Sequence, residues 1–422
     1  ALTALLFSAA AVTPAAAEPT PAASCSAKSE LADKNLATPY VYAVNLDTGE
    51  VLLDVRGDAL TPTASVMKLV TIAWAYDYLN ANYAARTQVL ADTNQVGTLY
   101  LKGGGDHTLS RLTGSSYTTY SRSAPRLENL VTQTLAAWPK DVPITKIVVD
   151  ASFFDGGGWN RNWPEYYRRS GDMSMITALM VDADRKNPDL TDKKYDPFRS
   201  TQPVQRVAKL FKTGLGDVAK DAKIVYSKTS DTATEIAGVN SRTIVNWFRH
   251  ALMVSDNTET EIIAFHAAKA AGRSTTWRNT TKLARNYMRS IGYDPKKLIF
   301  NDNSGLASSN RLTAKAVVSV IQAIHADPAK FETFKTLLPV SGVSGSLASR
   351  MTGTLRGKVT AKVGFIPGLV SLAGWVDAED GSHIAFAIFA RTQGNTKITS
   401  RTKPAIDKLV GRFYACGAAL TF

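Results

Sequence analysis

The stretch TPTASVMKLVTIAWAYDYL, residues 61–79, runs from turn-forming residues into an almost wholly apolar helical segment. A helix that opens on Ser65 carries Lys68 one turn later on the same face, so the hydroxyl and the amine can touch. Val66, Met67, Leu69, Val70, Ile72 and Trp74 make the segment apolar on nearly every side, which predicts a buried helix. Burial disfavours an ammonium ion and lowers the lysine pKa toward that of a general base. A serine hydroxyl beside a neutral amine is a nucleophile with its base. Taken alone, the spacing equally fits a capping serine followed by a solvated lysine, because Ser-x-x-Lys is a short motif that chance supplies.

Two later segments change the weight of that motif. Ser255-Asp256-Asn257 lies between two helical patterns, with Ile244, Trp247, Phe248 and Leu252 before it and Ile262, Ile263, Phe265 and His266 after it. By itself it reads as a helix-loop junction, since Ser, Asp and Asn are ordinary cap and turn residues. Lys362-Val363-Gly364 lies in GKVTAKVGFIPGLVSLAGWVD, residues 357–377. There Val359 and Ala361 alternate with polar residues, and Val370, Leu372, Ala373 and Trp375 resume the pattern, which predicts two antiparallel strands with Lys362 late in the first. The plain reading of Lys362 is a solvent-facing strand lysine.

The order Ser-x-x-Lys, Ser-x-Asn, Lys-x-Gly, on helix, loop and strand, is the set shared by penicillin-recognising serine enzymes. Further segments extend the likeness: YVYAVNLDTGEVLLD, YLKGGGDHTLS, VVDASFFDGGGW, TALMVDADR, NDNSGLASSNRLTA, LPVSGVSGSL and AKVGFIPGLVSLAGW, in that order from about Pro39 to Trp375. On these the chain resembles the low-molecular-mass class C penicillin-binding proteins, the D-alanyl-D-alanine carboxypeptidase/endopeptidase family.

The resemblance implies an α+β fold: a penicillin-binding, transpeptidase-like domain with a five-stranded antiparallel sheet flanked by helices, carrying an inserted mixed α/β domain. The residues agree with it. PYVYAVNLDTGEVLLDV reads as a hairpin of two alternating strands turning at Asp47-Thr48-Gly49. SLAGWVDAEDGSHIAFAIFAR reads as another, turning at Glu379-Asp380-Gly381, and a helix from Lys403 to about Tyr414 closes the chain. Strands and helices grouped in this way are α+β patterning rather than alternating βαβ units. About 190 residues separate Ser65 from Ser255, room for an inserted domain. The expected division is a leader and linker over 1–26, a catalytic domain over 27–90 and 243–422, and the insert over 91–242. Strands are expected within 87–105 and at Ile144–Asp150, with a helix near Leu127–Ala137. The nested extra domain of many class C relatives is expected to be missing or much reduced, because KIVYSKTSDTATEIAGV leads soon into the Ser255 helices. Asp189–Arg199 reads as a surface loop.

The Ala-rich, apolar first residues, with Ala15-Ala16-Ala17, read as the tail of a secretory signal peptide with cleavage after Ala17. Leu2 to Val12 is too short to span a bilayer. The expected location is therefore extracytoplasmic, secreted or at the cell envelope. In an exported protein of this fold class, where the terminal helix and first strand are neighbours, Cys25 and Cys416 are expected to form one disulfide; two free buried thiols are the alternative. Five scattered histidines and two remote cysteines give no ligand cluster, so no metal or other cofactor is expected. The formal net charge of +13 is spread along the chain without the run typical of a nucleic-acid arm. Anionic polymers of a cell envelope fit that charge, and so does simple solubility.

What the family resemblance implies for mechanism is specific. The substrate is a peptidoglycan stem ending in D-Ala-D-Ala, and β-lactams mimic it. Ser65 attacks the penultimate carbonyl, Lys68 takes its proton, and Ser255 passes a proton to the leaving amine. Asn257 orients Lys68 and binds a substrate amide. Lys362 supplies positive potential to the terminal carboxylate and to Ser255. The oxyanion donors are the backbone N–H groups of Ser65 and Phe365, and Gly364 keeps the strand edge open to the peptide.

Two positions depart from the family. Val363 stands where Thr is usual and lacks the hydroxyl that bonds the carboxylate, a loss of about 1.5–3 kcal/mol. Ser308 stands where some relatives place an Arg. Glu165 and Asp172 are both candidates for the acidic residue that reads the third stem residue. Three readings compete: a D,D-peptidase, a non-catalytic peptidoglycan binder weakened at Val363, and a β-lactamase, which the large insert disfavours.

Overall fold

In the computed structural model, residues 25–118, 120–188, 198–331 and 333–422 are described. The leader reading over residues 1–24 and the loop expected at Asp189–Arg199, apart from Phe198 and Arg199, lie outside them. The described strands are β1 (Cys25–Ser26), β2 (Thr38–Asn45), β3 (Val51–Val55), β4 (Arg86–Ala91), β5 (Thr98–Lys102), β6 (Lys146–Asp150), β7 (Lys223–Tyr226), β8 (Thr234–Asn240), β9 (Val359–Ile366), β10 (Leu369–Asp377), β11 (His383–Arg391) and β12 (Leu420–Thr421).

The first large sheet has the order β3-β2-β11-β10-β9 and is antiparallel throughout. β2 pairs with β11, so this sheet joins an N-terminal hairpin to C-terminal strands, although residues 56–358 separate β3 from β9 in sequence. Both expected hairpins form, with Gly49 and Gly381 at positive φ in their turns. The expected in-out alternation does not appear in β2 and β10: Tyr40 to Asn45 and Leu369 to Val376 are buried without a break, as are Ile384 to Ala390 of β11. The reason is that helices cover both faces. Tyr40, Tyr42, Ala373, Trp375 and Phe389 face a core built around the serine helix, Met67–Ala75. Val41, Ala43, Leu372, Phe386 and Ile388 face Ile406, Leu409, Val410 and Phe413 of the terminal helix, Thr402–Cys416. Successive side chains still point to opposite faces, but each face is now an interior.

The second sheet, β7-β6-β5-β4-β8, is mixed, with β5-β6 and β6-β7 parallel and β4 antiparallel to both its neighbours. Val89, Leu99, Leu101, Ile147 and Val149 pack on one face against helices Leu127–Ala137 and Pro203–Leu215. On the other face Leu90, Tyr100 and Val148 form a small buried apolar cluster. The segment KIVYSKTSDTATEIAGV, read above only as a lead into the Ser255 helices, supplies both edge strands of this sheet.

Cys25 and Cys416 are disulfide-bonded, Cα to Cα 5.4 Å, across 391 residues of chain. The bond ties β1 to the end of the terminal helix, and β1 pairs in parallel with β12 beside it. No helix among the described residues is long and apolar enough to cross a membrane.

Candidate active site

The serine helix does not open as a regular α-helix. A 3-10 turn, Ala64–Val66, carries Ser65, and the α-helix begins at Met67. All nine residues of that helix are buried, Lys68 among them at 0% exposure. Lys68 Nζ donates to Ser65 Oγ at 2.9 Å, to Asn257 Oδ1 at 2.6 Å and to the Ser304 carbonyl at 2.7 Å. Burial pulls its pKa down to about 8, against the upward pull of the carboxylates Asp302, Asp256 and Glu261.

Ser255 ends the helix Ile244–Val254 as a left-handed residue, φ 66° and ψ 38°. Asp256 caps the next helix, Asn257–Ala270, by accepting from the Glu259 N–H at 2.9 Å. The sharp reversal between two helices puts Ser255 and Asn257 side by side facing Lys68. Asn257 Nδ2 donates to the Asp172 carbonyl at 2.9 Å, which fixes its oxygen toward Lys68. Ala64, just before Ser65, is also left-handed at φ 47°. Such a conformation costs a non-glycine residue about 1–3 kcal/mol, and here it flanks or forms both serine positions.

Lys362 lies on β9 and is not a solvent-facing lysine: its exposure is 0%. It donates to Ser255 Oγ at 3.0 Å and to the Val363 carbonyl at 2.9 Å. Burial, then the charge of Lys68, pushes its pKa well below the ordinary lysine value. Two buried amines therefore face one another across the two hydroxyls, Lys68 with carboxylates nearby and Lys362 with none among the causes of its shift.

β9 is the last strand of its sheet. Pro339, Val340 and Ser341 cover its outer edge from Ala361 back to Val359, through the Ala361 N–H to Pro339 carbonyl bond of 3.0 Å, an antiparallel bridge of Val340 with Thr360, and the Ser341 N–H to Val359 carbonyl bond of 2.9 Å. No further bridge on that side is formed by Lys362–Ile366 among the described residues. Gly364 allows this strand to approach the serine turn. A Cβ there would stand 2.9 Å from the Ser65 backbone nitrogen and 2.3 Å from Ser371 Oγ. Gly305, at φ 81°, makes the matching approach from the other side, where a Cβ would meet the Ala64 carbonyl oxygen at 1.8 Å.

Ser65, Ser255, Asn257, Val363, Gly364 and Phe365 line one cleft of about 470 Å³. The structure thus brings together all eight residues expected at the site, with the two lysines beneath the cleft floor. Val363 is half-buried and packs partly on the core of the terminal-helix side. Phe365 is 60% exposed at the mouth. Of the two acidic candidates, Asp172 lines the cleft, whereas Glu165 is exposed and bound to the Arg168 guanidinium. Ser308 is exposed, with its carbonyl accepting from Arg311 at 2.7 Å, and does not line the cleft.

Several lining residues carried no signal of their own in the sequence. Tyr166, Tyr167, Arg350 and Lys403 lie outside every quoted motif. Arg350 is held by Asp407, 2.5 Å, and the Lys403 ammonium lies 5.8 Å over the Phe365 ring. Ser304 was legible only as part of the family-like run NDNSGLASSNRLTA. Among the described residues, no group of three or more His, Cys, Asp or Glu side chains could hold a metal ion.

This cleft, on an antiparallel sheet between helical layers, is that of the penicillin-binding serine hydrolases. The family model described as "D-Ala-D-Ala carboxypeptidase 3 (S13) family" matches residues 23–197 and 191–412. A carboxypeptidase DacB of Mycolicibacterium smegmatis is 30% identical over 394 residues, covering 92% of this chain and 82% of the relative. The crystal structure of penicillin-binding protein 4 (DacB) from Haemophilus influenzae superposes with a TM-score of 0.76 at 19% identity, over 92% of this chain and 99% of the other. The same Haemophilus protein in complex with a β-lactam gives 0.67 at 19% identity with the same coverage. The chain belongs to the D-Ala-D-Ala carboxypeptidase 3 (S13) family, and its activity class is that of a serine-type carboxypeptidase hydrolase.

Proposed function

We propose that this chain is an exported D,D-peptidase that cleaves peptidoglycan stem peptides through an acyl-enzyme on Ser65. One observation carries the reading: Lys68 Nζ bonds Ser65 Oγ and Asn257 while Lys362 Nζ bonds Ser255 Oγ in the same cleft. With its pKa lowered to about 8, Lys68 takes the Ser65 proton as the oxygen attacks the carbonyl of the penultimate D-Ala. The backbone N–H groups of Ser65 and Phe365 serve the developing oxyanion. Ser255 returns a proton to the departing amine, and water then releases the acyl group.

The substrate backbone adds as a strand to the open end of β9. A terminal carboxylate bound there returns Lys362 toward its charged form, because an opposite charge offsets burial. Val363 offers that carboxylate no hydroxyl, so cross-linked stems, which lack it, lose less than D-Ala-terminated ones. Asp172 is the acid at the stem-peptide side of the cleft. β-Lactams acylate Ser65 as substrate mimics, a reading supported by the β-lactam complex of the Haemophilus neighbour. Work on peptidoglycan belongs outside the cytoplasmic membrane, where a disulfide such as Cys25–Cys416 persists, and the +13 charge suits anionic envelope polymers.

The test is incubation of the purified chain with a D-Ala-D-Ala pentapeptide and with cross-linked muropeptides, beside labelling by a fluorescent penicillin. Release of D-Ala or scission of the cross-link, with label on Ser65, is the expected result. A folded protein that takes no label and cleaves neither substrate is a binder, and many-cycle turnover of free β-lactam makes it a β-lactamase.

A further inference from the structure

Glu261 is a buried acid that the acyl-transfer steps above leave unused. It stands four residues beyond Asn257 on the same helix, hence on the same face, and its exposure is 0%. Its Oε1 accepts from the backbone N–H groups of Asn303, 2.9 Å, and Ser304, 2.8 Å. Its Oε2 accepts from the Asn303 side-chain amide, 2.7 Å, and from Trp277 Nε1, 2.9 Å. Four donors converge on one carboxyl group and no acceptor does. A carboxylate can accept all four, whereas a protonated acid would turn its own O–H against an N–H.

The same two residues face the serine helix with their carbonyls. The Ser304 carbonyl accepts from Lys68 Nζ at 2.7 Å, and the Asn303 carbonyl accepts from Thr71 Oγ1 at 2.6 Å. Residues 303 and 304 are thus clamped between Glu261 and the serine helix. Deepening the acyl-enzyme reading, on which it rests, we infer that Glu261 is a positioning residue that aims the Ser304 carbonyl at Lys68 and keeps that amine basic by its charge.

The charged groups around it are few. Asp302 lies on the same loop, Asp256 at the start of its own helix and Lys68 on the serine helix, while the helix Trp277–Ser290 presents the neutral indole. Burial and then Asp302 raise the Glu261 pKa to about 7, against the lowering by its donors. Glu261 is therefore charged in the range where Lys68 sheds its proton, and it titrates just below. Asp302 is itself held by the Gly305 N–H, the Ala307 N–H, Asn310 and Trp163, so it braces the loop, and its charge acts on Lys68 together with those of Asp256 and Glu261.

The experiment is single-turnover acylation of Ser65 by a fluorescent penicillin, followed as a function of pH in the full chain. Glu261→Gln is expected to lower the plateau rate by about tenfold to a hundredfold through misplacement of the base. It also moves the rising limb to lower pH, because Lys68 loses a neighbouring negative charge. Glu261→Asp keeps the charge, so its limb stays with the wild type while its plateau falls. Trp277→Phe removes one donor, favours the protonated acid, and so moves the limb to lower pH, in the direction of Glu261→Gln but by less. If Glu261→Gln does not fold, by thermal melting, the other two variants decide. Folded variants with the wild-type plateau and limb overturn the inference. So do lowered plateaus with every limb unmoved, which would leave Glu261 a structural brace only. A wild type that takes no label overturns the acyl-enzyme reading and this inference with it, whereas a labelled wild type with indifferent variants overturns this inference alone.

Discussion

The two walls of the cleft hold the same residue in different surroundings. On the helical wall, Lys68 has three acceptors and three carboxylates acting on it, and its pKa rests at about 8. On the strand wall, Lys362 is as deeply buried but has two neutral acceptors, and the charge acting on it is Lys68, so it is pushed further down. Burial alone does not set the role of a lysine; the charges within reach of its amine do. In the proposed mechanism the helical wall supplies the base at mildly alkaline pH. In the proposed mechanism the strand wall gains charge only when an anion arrives.

The strongest way to break this comparison is at the helical wall. Ser65→Ala is expected to abolish penicillin labelling. Lys68→Met is expected to slow acylation by about 10²–10⁴-fold, the range of a lost general base, in a stopped or single-turnover labelling assay. If Lys68→Met labels at the wild-type rate while Lys362→Met does not, the base has been assigned to the wrong wall.

The strand wall gives a smaller effect of opposite sign. Val363→Thr adds a hydroxyl beside Lys362, and D-Ala release from a pentapeptide should rise by roughly tenfold to a hundredfold, the equivalent of about 1.5–3 kcal/mol for a hydrogen bond to a charge. Scission of cross-linked muropeptides should change less. Unchanged D-Ala release would remove the carboxylate from the neighbourhood of Val363.

A third measurement sharpens the assignment without mutation. Lys68 acts as a base only when neutral, so acylation should rise with pH through about 8 and fall about tenfold for each unit below it. A profile flat across that range would mean that the base titrates elsewhere. The smallest effect on the site is expected far from it. Cys25→Ser should lower stability to heat or denaturant, by about 2–5 kcal/mol for loss of a native disulfide, while the acylation rate of the folded protein stays unchanged. A large drop in that rate would couple the chain ends to the cleft in a way the fold does not suggest.

Several features were readable from local residues. Ser65 and Lys68 share a helix face by spacing alone, and the apolar run around them already required burial. Ser255-Asp256-Asn257 is recognisable as a junction, since the residues that cap and turn also line the cleft. The edge strands β7 and β8 were not, because Lys223, Lys228 and Glu235 interrupt any apolar pattern there and pairing with β6 and β4 decides their structure.

The alternation expected in β2 and β10 failed for a related reason. A residue pattern reports how many apolar faces a strand has, but helices arriving from the far ends of the chain decide whether both faces are covered. The chain by itself determined which groups could react and on which local element each would ride, because helix spacing and cap chemistry act within a few residues. Only the tertiary structure decided that Ser304 turns its carbonyl to Lys68, that Glu261 holds it there, and that Lys362 is buried rather than solvated. Those outcomes depend on contacts between segments tens to hundreds of residues apart, where no local propensity operates.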